Sequence, residues 1–357
     1  MHDVKAMVEL LGGMAQKQQL VRLGARDLDL TRAVRSGEVT RARQGWYTTL
    51  DDRSPEVQAV RIGGRLTGLS AIHALGGWVL SPPPLHVSLP PNAARLRSRW
   101  NRHRPLIPAR SRSVLRHWES PEVASRGTAV SVGLRDALVR VILDEPDEAA
   151  IAALDWAIHE KLIEETDLAE LAAAVPECRR HVVASVDPNC GSFPESVART
   201  RLLAAGHRVR SQVPLDDGRI IDLLIDERVG LEVDGREFHA TTFERDSAKS
   251  VAIAIAGWIP LRPSASLVLY EWETVMVAIT TLLGGSAPAI EDSAASSAGP
   301  APSTLGNSGL AVGAHRQTRA VAPPQRGRRA ATPEFPKERA RRARAHARAP
   351  APRRASA

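Results

Sequence analysis

Two neighbouring apolar runs, each interrupted by an acid, constrain this chain more than any other feature. Ile220 to Ile225 is apolar apart from Asp222, and Val229 to Val233 is apolar apart from Gly230 and Glu232. A carboxylate set in a buried strand is costly unless a partner or a ligand compensates it. With a turn near Asp226 to Arg228 the two runs form a hairpin, and counting register puts Asp222 roughly opposite Glu232 or its neighbour. The strand period of two then places Glu232 and Asp234 on one face.

Three carboxylates converging at one end of a sheet repel one another, and a bound cation relieves that repulsion. Hard oxygen donors suit Mg²⁺ or Mn²⁺ better than zinc, and such a site polarises a phosphodiester and activates water. Upstream, the stretch from Phe193 to Gly206 reads as a helix, with Pro194 near its first turn and Gly at its stop. Glu195 and Arg199 fall one turn apart on one face of it.

At these residues the chain resembles the PD-(D/E)XK superfamily, and more closely the group related to very-short-patch-repair endonucleases. The resemblance rests on Glu232-Val233-Asp234-Gly235-Arg236-Glu237-Phe238-His239, and continues through Phe243-Glu244-Arg245-Asp246, Lys249 and Gly257-Trp258-Ile259-Pro260-Leu261-Arg262. It implies that Asp222 and Glu232 are metal ligands, that Glu195 is a further or outer ligand, and that His239 is a general acid or base. The pattern departs from the superfamily at Asp234, which stands where many members have the catalytic Lys, and no Pro precedes Asp222. Arg236 takes the place of a zinc-binding Cys of the repair enzymes, which counts against mismatch-specific nicking. Arg199, Lys249 and Arg262 are candidate phosphate contacts. The competing readings are a solvated rim of acids, or a nuclease fold that has lost activity.

The first 50 residues read as helix, turn, helix and hairpin, with Gly24 and Gly37 ending helices and Val39 to Arg43 and Trp46 to Thr49 as short strands. Arg41, Arg43, Gly45 and Tyr47 give an Arg-x-Arg-x-Gly-x-Tyr wing, and here the chain resembles the N-terminal winged-helix domain of AbiEi-type antitoxins. Arg32 and Arg35 on the second helix, with Arg41 and Arg43 on the wing, concentrate positive charge on one edge, as contact with duplex phosphates requires. A small docking domain with a solvated basic edge would look alike.

The middle region carries no chemistry-bearing motif. His73 reads as a structural histidine, and the run of arginines from Arg95 to Arg104 as a solvated face. Thirteen Lys/Arg against four Asp/Glu from Ser286 onward account for the whole of the +8 net charge, so global basicity does not argue that the folded regions bind nucleic acid. The tail could bind polyanions nonspecifically. Cys178 and Cys190 lack metal-ligand spacing and suit a reducing interior. Met1 to Leu11 has no signal-peptide core, and no apolar run is long enough to span a bilayer, so a cytoplasmic protein is expected.

The expected architecture is a multidomain α+β and α/β chain. It comprises a winged helix over 1–52, a mixed α/β middle region over 53–185, a restriction-endonuclease-like α/β domain over 190–283, and a disordered Ala/Pro/Arg-rich basic tail over 284–357. The expected function is metal-dependent DNA cleavage, as an endonuclease or nickase in defence or repair, with DNA and a toxin–antitoxin or defence protein as partners. The alternative is a non-catalytic, DNA-binding transcriptional regulator of antitoxin type.

Overall fold

The computed structural model describes residues 3–80, 82–107, 113–234 and 243–284, and shows a mixed α and β chain carrying several small sheets. His239 and the arginine-rich tail lie outside the described residues. Among the described residues no helix is long and apolar enough to cross a membrane.

The chain opens with α1 (Val4–Leu10), β1 (Met14–Gln16), α2 (Lys17–Arg22), α3 (Asp27–Arg35), β2 (Thr40–Arg43) and β3 (Trp46–Thr48). Asp3 caps α1 by accepting the Ala6 amide at 2.9 Å, and Gly37, at φ 78°, lets the chain turn out of α3 into the hairpin. The sheet runs β1-β3-β2, so the hairpin expected from the sequence gains a third strand. A three-residue strand carries too little periodicity to be seen in advance. Val8, Leu20, Leu30 and Tyr47 bury against one another beneath it.

The middle of the chain contains α4 (Pro55–Ile62), β4 (Arg65–Leu66), α5 (Gly68–Ala74), β5 (Leu85–Leu89), β6 (Arg97–Ser98), β7 (Asn101–Pro105) and β8 (Val114–Trp118). It continues with α6 (Pro121–Ser125), α7 (Leu134–Asp144), α8 (Asp147–His159), α9 (Asp167–Ala173) and α10 (Arg180–Ala184). Strands β4, β5 and β8 form one sheet with β5 and β8 parallel, and β6 and β7 form a separate hairpin. A single apolar core runs from Ala59 to Val183 and takes in Leu66, Ile72, Val87, Leu138 and Leu154. Helix α7 stops where Pro146 forces Glu145 into extended backbone.

The last region comprises α11 (Phe193–Ala204), β9 (Val209–Pro214), β10 (Ile220–Ile225), β11 (Val229–Leu231), α12 (Phe243–Ile255), β12 (Ile259–Leu261), α13 (Ala265–Tyr270) and α14 (Trp272–Leu282). Its sheet is ordered β12-β11-β10-β9, antiparallel except for the β11–β12 pair. Leu223, Ile225 and Leu231 pack with Val197, Leu202, Val268 and Ile279 of the helices α11, α13 and α14. Leu224 and Ile221 pack with Ile253 of α12. Asp226 and Glu227 both adopt left-handed backbone, at φ 49° and 54°, which turns β10 tightly back into β11.

Helix α8 of the middle region lies on α11. Buried Asp155 accepts the Ser196 hydroxyl at 2.6 Å and the Asp187 amide at 2.9 Å, and Arg201 pairs with Glu148 at 2.6 Å.

Candidate active site

The β10–β11 hairpin sets the acids. Leu223 pairs with Leu231, a register that carries on to place Asp222 across from Glu232. Each carboxylate is anchored by the other strand: the Asp222 amide donates to Glu232 Oε1 at 3.1 Å, and the Val233 amide donates to Asp222 Oδ2 at 2.9 Å. One oxygen of each is thereby held by the backbone, and the other is free to face outward from the strand pair.

Lys249 meets those outward oxygens. Its ammonium pairs with Glu232 Oε2 and stands 3.5 Å from Asp222 Oδ1. The lysine arrives because α12 lies close on the sheet, and Gly230 is what permits that approach: a Cβ at this position would stand 2.8 Å from Ile253 Cγ2. Ile253 and Lys249 are one turn apart on α12, so the contact that seats the helix also aims the lysine.

Glu195 approaches from α11. Its Oε1 accepts the Ser192 hydroxyl at 2.7 Å, and its Oε2 accepts the Gly191 amide at 3.1 Å and the Gln212 side-chain amide at 3.2 Å. Gln212 lies on β9 at the position facing Asp222, and its left-handed backbone, at φ 51°, is uncommon for a residue with a side chain. Backbone strain of this kind costs on the order of 1–3 kcal/mol and collects at functional sites.

The electrostatics agree with this arrangement. Burial, reinforced by the Asp222 charge, pushes Glu232 up to about 7 even with Lys249 opposing the shift. Burial and then Asp222 also raise Glu195 above the usual carboxylate range.

Asp234, expected as the third member of the trio, is held elsewhere. Its carboxylate pairs with Arg262 at 2.5 Å, and its backbone bonds to the segment after β12, the Asp234 amide donating to the Pro263 carbonyl at 3.0 Å. Arg262 is thus occupied by that pair. Arg199 is likewise committed to structure, donating to the Ser185 carbonyl at 2.7 Å and pairing with Asp187 at 3.1 Å. Lys249, expected at phosphate, sits among the carboxylates instead.

A second cluster lies far along the chain, around the β2–β3 hairpin. Arg32 and Arg35 are exposed on the last turn of α3, and Arg41 is exposed with its guanidinium 5.5 Å from the Tyr47 ring centroid. Arg43 points inward and donates to the Ile62 carbonyl at 2.6 Å and the Arg61 carbonyl at 3.2 Å, closing the end of α4. The β6–β7 hairpin folds against this edge, where Arg102 donates to the Arg41 carbonyl at 3.1 Å. Together Arg41, Arg43, Arg95, Arg97, Arg102 and His103 line a cleft of about 610 Å³. None of the five arginines pairs with a carboxylate among the described residues. The run from Arg95 to Arg104 is therefore part of a concave basic surface, which its sequence alone did not distinguish from a solvated face.

No protein-family model matches the chain, and no curated protein matches it.

Proposed function

We propose that the chain is a Mg²⁺- or Mn²⁺-dependent DNA endonuclease or nickase of the PD-(D/E)XK type, with an N-terminal winged helix that engages DNA. The observation that carries the reading is the convergence of Lys249 on Asp222 and Glu232. Two acids opposed on adjacent strands, with a lysine between their free oxygens, are the side chains that phosphodiester hydrolysis needs. The lysine comes from α12, and Asp234 at the strand position is no obstacle to it.

The donor set fits a hard divalent ion. Asp222 and Glu232 offer carboxylate oxygens that converge on one point already shared by a positive charge. Asp222 and Glu232 would hold the ion, with Glu195 beside them. When bound, such an ion polarises the scissile phosphate and makes its water more acidic. Lys249 offers an N–H donor and a positive charge to the attacking water or the phosphate, and Glu195, kept in place by Ser192 and Gln212, offers a carboxyl group poised to exchange a proton. Arg32, Arg35 and Arg41 supply phosphate contacts at the wing, with the Arg97–Arg102 hairpin beside them.

The test is cleavage of supercoiled DNA by the full chain with Mg²⁺ or Mn²⁺, compared among wild type, Glu232→Gln and Lys249→Met. Wild type nicks, and each variant falls by at least about 100-fold, the usual scale for losing a group that stabilises the transition state. Equal activity in all three, or none in any, sinks the reading.

The basic cleft also favours a second reading, a DNA-binding regulator of antitoxin type in which the C-terminal fold does no chemistry. It predicts tight, sequence-dependent binding with no cleavage, and a large ratio of specific to nonspecific affinity as salt is varied.

A further inference from the structure

A cluster unrelated to the carboxylate–lysine site lies in the middle region. His86 on β5 and His117 on β8 occupy parallel neighbouring strands, with His86 opposite Leu115 and Ser88 opposite His117, so the two rings sit diagonally on one face. They stack at 5.3 Å between centroids and 18° between planes. The end of α7 brings Asp144, and the residue that stops the helix is Glu145.

The distances are informative. His86 Nε2 stands 3.4 Å from Glu145 Oε1, and His117 Nδ1 stands 3.4 Å from Asp144 Oδ2. Charge-assisted hydrogen bonds close to about 2.7–2.9 Å. Two ligand atoms each about 2.0–2.1 Å from a tetrahedral ion stand about 3.3–3.4 Å apart. Donor atoms of His86, His117 and Asp144 all lie within 4.8 Å of one another.

The surroundings fix which atoms face the centre. His86 Nδ1 is buried beside Gly68, where a Cβ would stand only 2.9 Å from it, and Nε2 faces the Glu145 carboxylate. His86 Nδ1 and His117 Nε2 are buried without a hydrogen-bond partner, so the rings are not held by a network of their own. Arg140 takes the far oxygen of Asp144 at 3.5 Å and Glu119 Oε1 at 3.4 Å, which leaves Asp144 Oδ2 turned toward His117.

We propose that His86, His117 and Asp144 form a three-ligand site for a divalent transition-metal ion, Zn²⁺ by its ligand chemistry, which clamps the β5–β8 pair to the end of α7. Two imidazoles and one carboxylate around one point suit Zn²⁺ better than Mg²⁺, which prefers oxygen alone and retains water. Three protein ligands leave one tetrahedral position for a water or for the neighbouring Glu145 carboxylate, which stands 3.4 Å from His86 Nε2.

The experiment uses the full chain carrying Asp222→Asn and Glu232→Gln, which silences the other acidic site. After chelator treatment, reloading with Zn²⁺ and desalting, elemental analysis should find one Zn²⁺ per chain, and the thermal midpoint should rise with Zn²⁺. Adding His117→Asn and Asp144→Asn should weaken binding by at least about 10-fold, in line with the loss of metal-site groups. Unchanged binding in that variant overturns the proposal, as does less than a tenth of an equivalent in its parent. If the added substitutions prevent folding, Co²⁺ loaded into the parent decides. A tetrahedral visible spectrum without thiolate charge transfer supports the site, and an octahedral or thiolate spectrum overturns it.

Discussion

Neighbouring residues on α11 face two buried acidic sites that use the same chemistry to opposite ends. Ser196 points toward α8, where its hydroxyl and the Asp187 amide satisfy Asp155, and Arg199 pairs with Asp187 beside it. Glu195 points toward the sheet, where Asp222 and Glu232 press like charges together around one lysine. Asp155 sits at about 6 because burial outweighs the hydrogen bonds that oppose it. Glu232 sits at about 7 because burial is reinforced by Asp222. Asp155 is met by the neutral donors of Ser196 and Asp187 and makes a joint, whereas Asp222 and Glu232 stand side by side around a single lysine, as a cation site requires. The middle region's His86 and Asp144 cluster belongs with the second kind.

That contrast makes function and stability separable by substitution. Glu232→Gln should cost cleavage at least about 100-fold while leaving the thermal midpoint at pH 8 unchanged or higher, because it removes a carboxylate that burial disfavours. Activity and melting curves on the same preparation check this, and a large drop in melting temperature would make Glu232 a joint like Asp155.

Asp155→Ala should do the reverse. Leaving the Ser196 hydroxyl and the Asp187 amide without their acceptor costs about 1–3 kcal/mol of folding stability. Denaturant unfolding measures it, and divalent-ion affinity at the β10–β11 site should be unaffected.

The pH dependence carries the same signature. Both acids are raised in the folded state, so the stability that each contributes is complete below its unfolded value and is lost as pH rises through the folded one. For Asp155 the window runs from its ordinary 3.8 to about 6, and for Glu232 from 4.5 to about 7. Asp155→Asn should flatten the lower part of a stability–pH profile and Glu232→Gln the upper part. Divalent-ion affinity should run the other way, rising as pH passes about 7 and Glu232 gives up its proton. A wild-type profile that is flat between pH 4 and 7 would remove the electrostatic basis of the contrast.

The smallest effect belongs to the basic cleft. Arg97→Ala or Arg102→Ala should lower DNA affinity modestly and reduce the slope of log affinity against log salt by about 1 for each phosphate no longer neutralised. Binding at several salt concentrations reads this, and an unchanged slope would return the β6–β7 hairpin to a solvated face.

Much of the carboxylate site was legible in the sequence. An acid inside an apolar strand is conspicuous, and the turn near Asp226 set the register that opposes Asp222 and Glu232. Gln212 was invisible, because its part depends on an unusual backbone angle in β9 and on the approach of α11. Arg43 and Arg199 read as phosphate contacts, yet both are spent on carbonyl groups of nearby chain, and a side chain's range of partners cannot be read from its charge. The third strand at Met14 escaped notice for want of length.

Apolar runs broken by single acids, with a polar turn between them, are local properties, and they are what the sequence by itself determined: two strands, their register and the acids opposed on them. Which cation faces those acids was decided only by tertiary structure. Lys249 reaches them, and Asp234 turns to Arg262, because Gly230 lets α12 close on the sheet and β12 pairs beside β11, contacts between segments far apart in the chain.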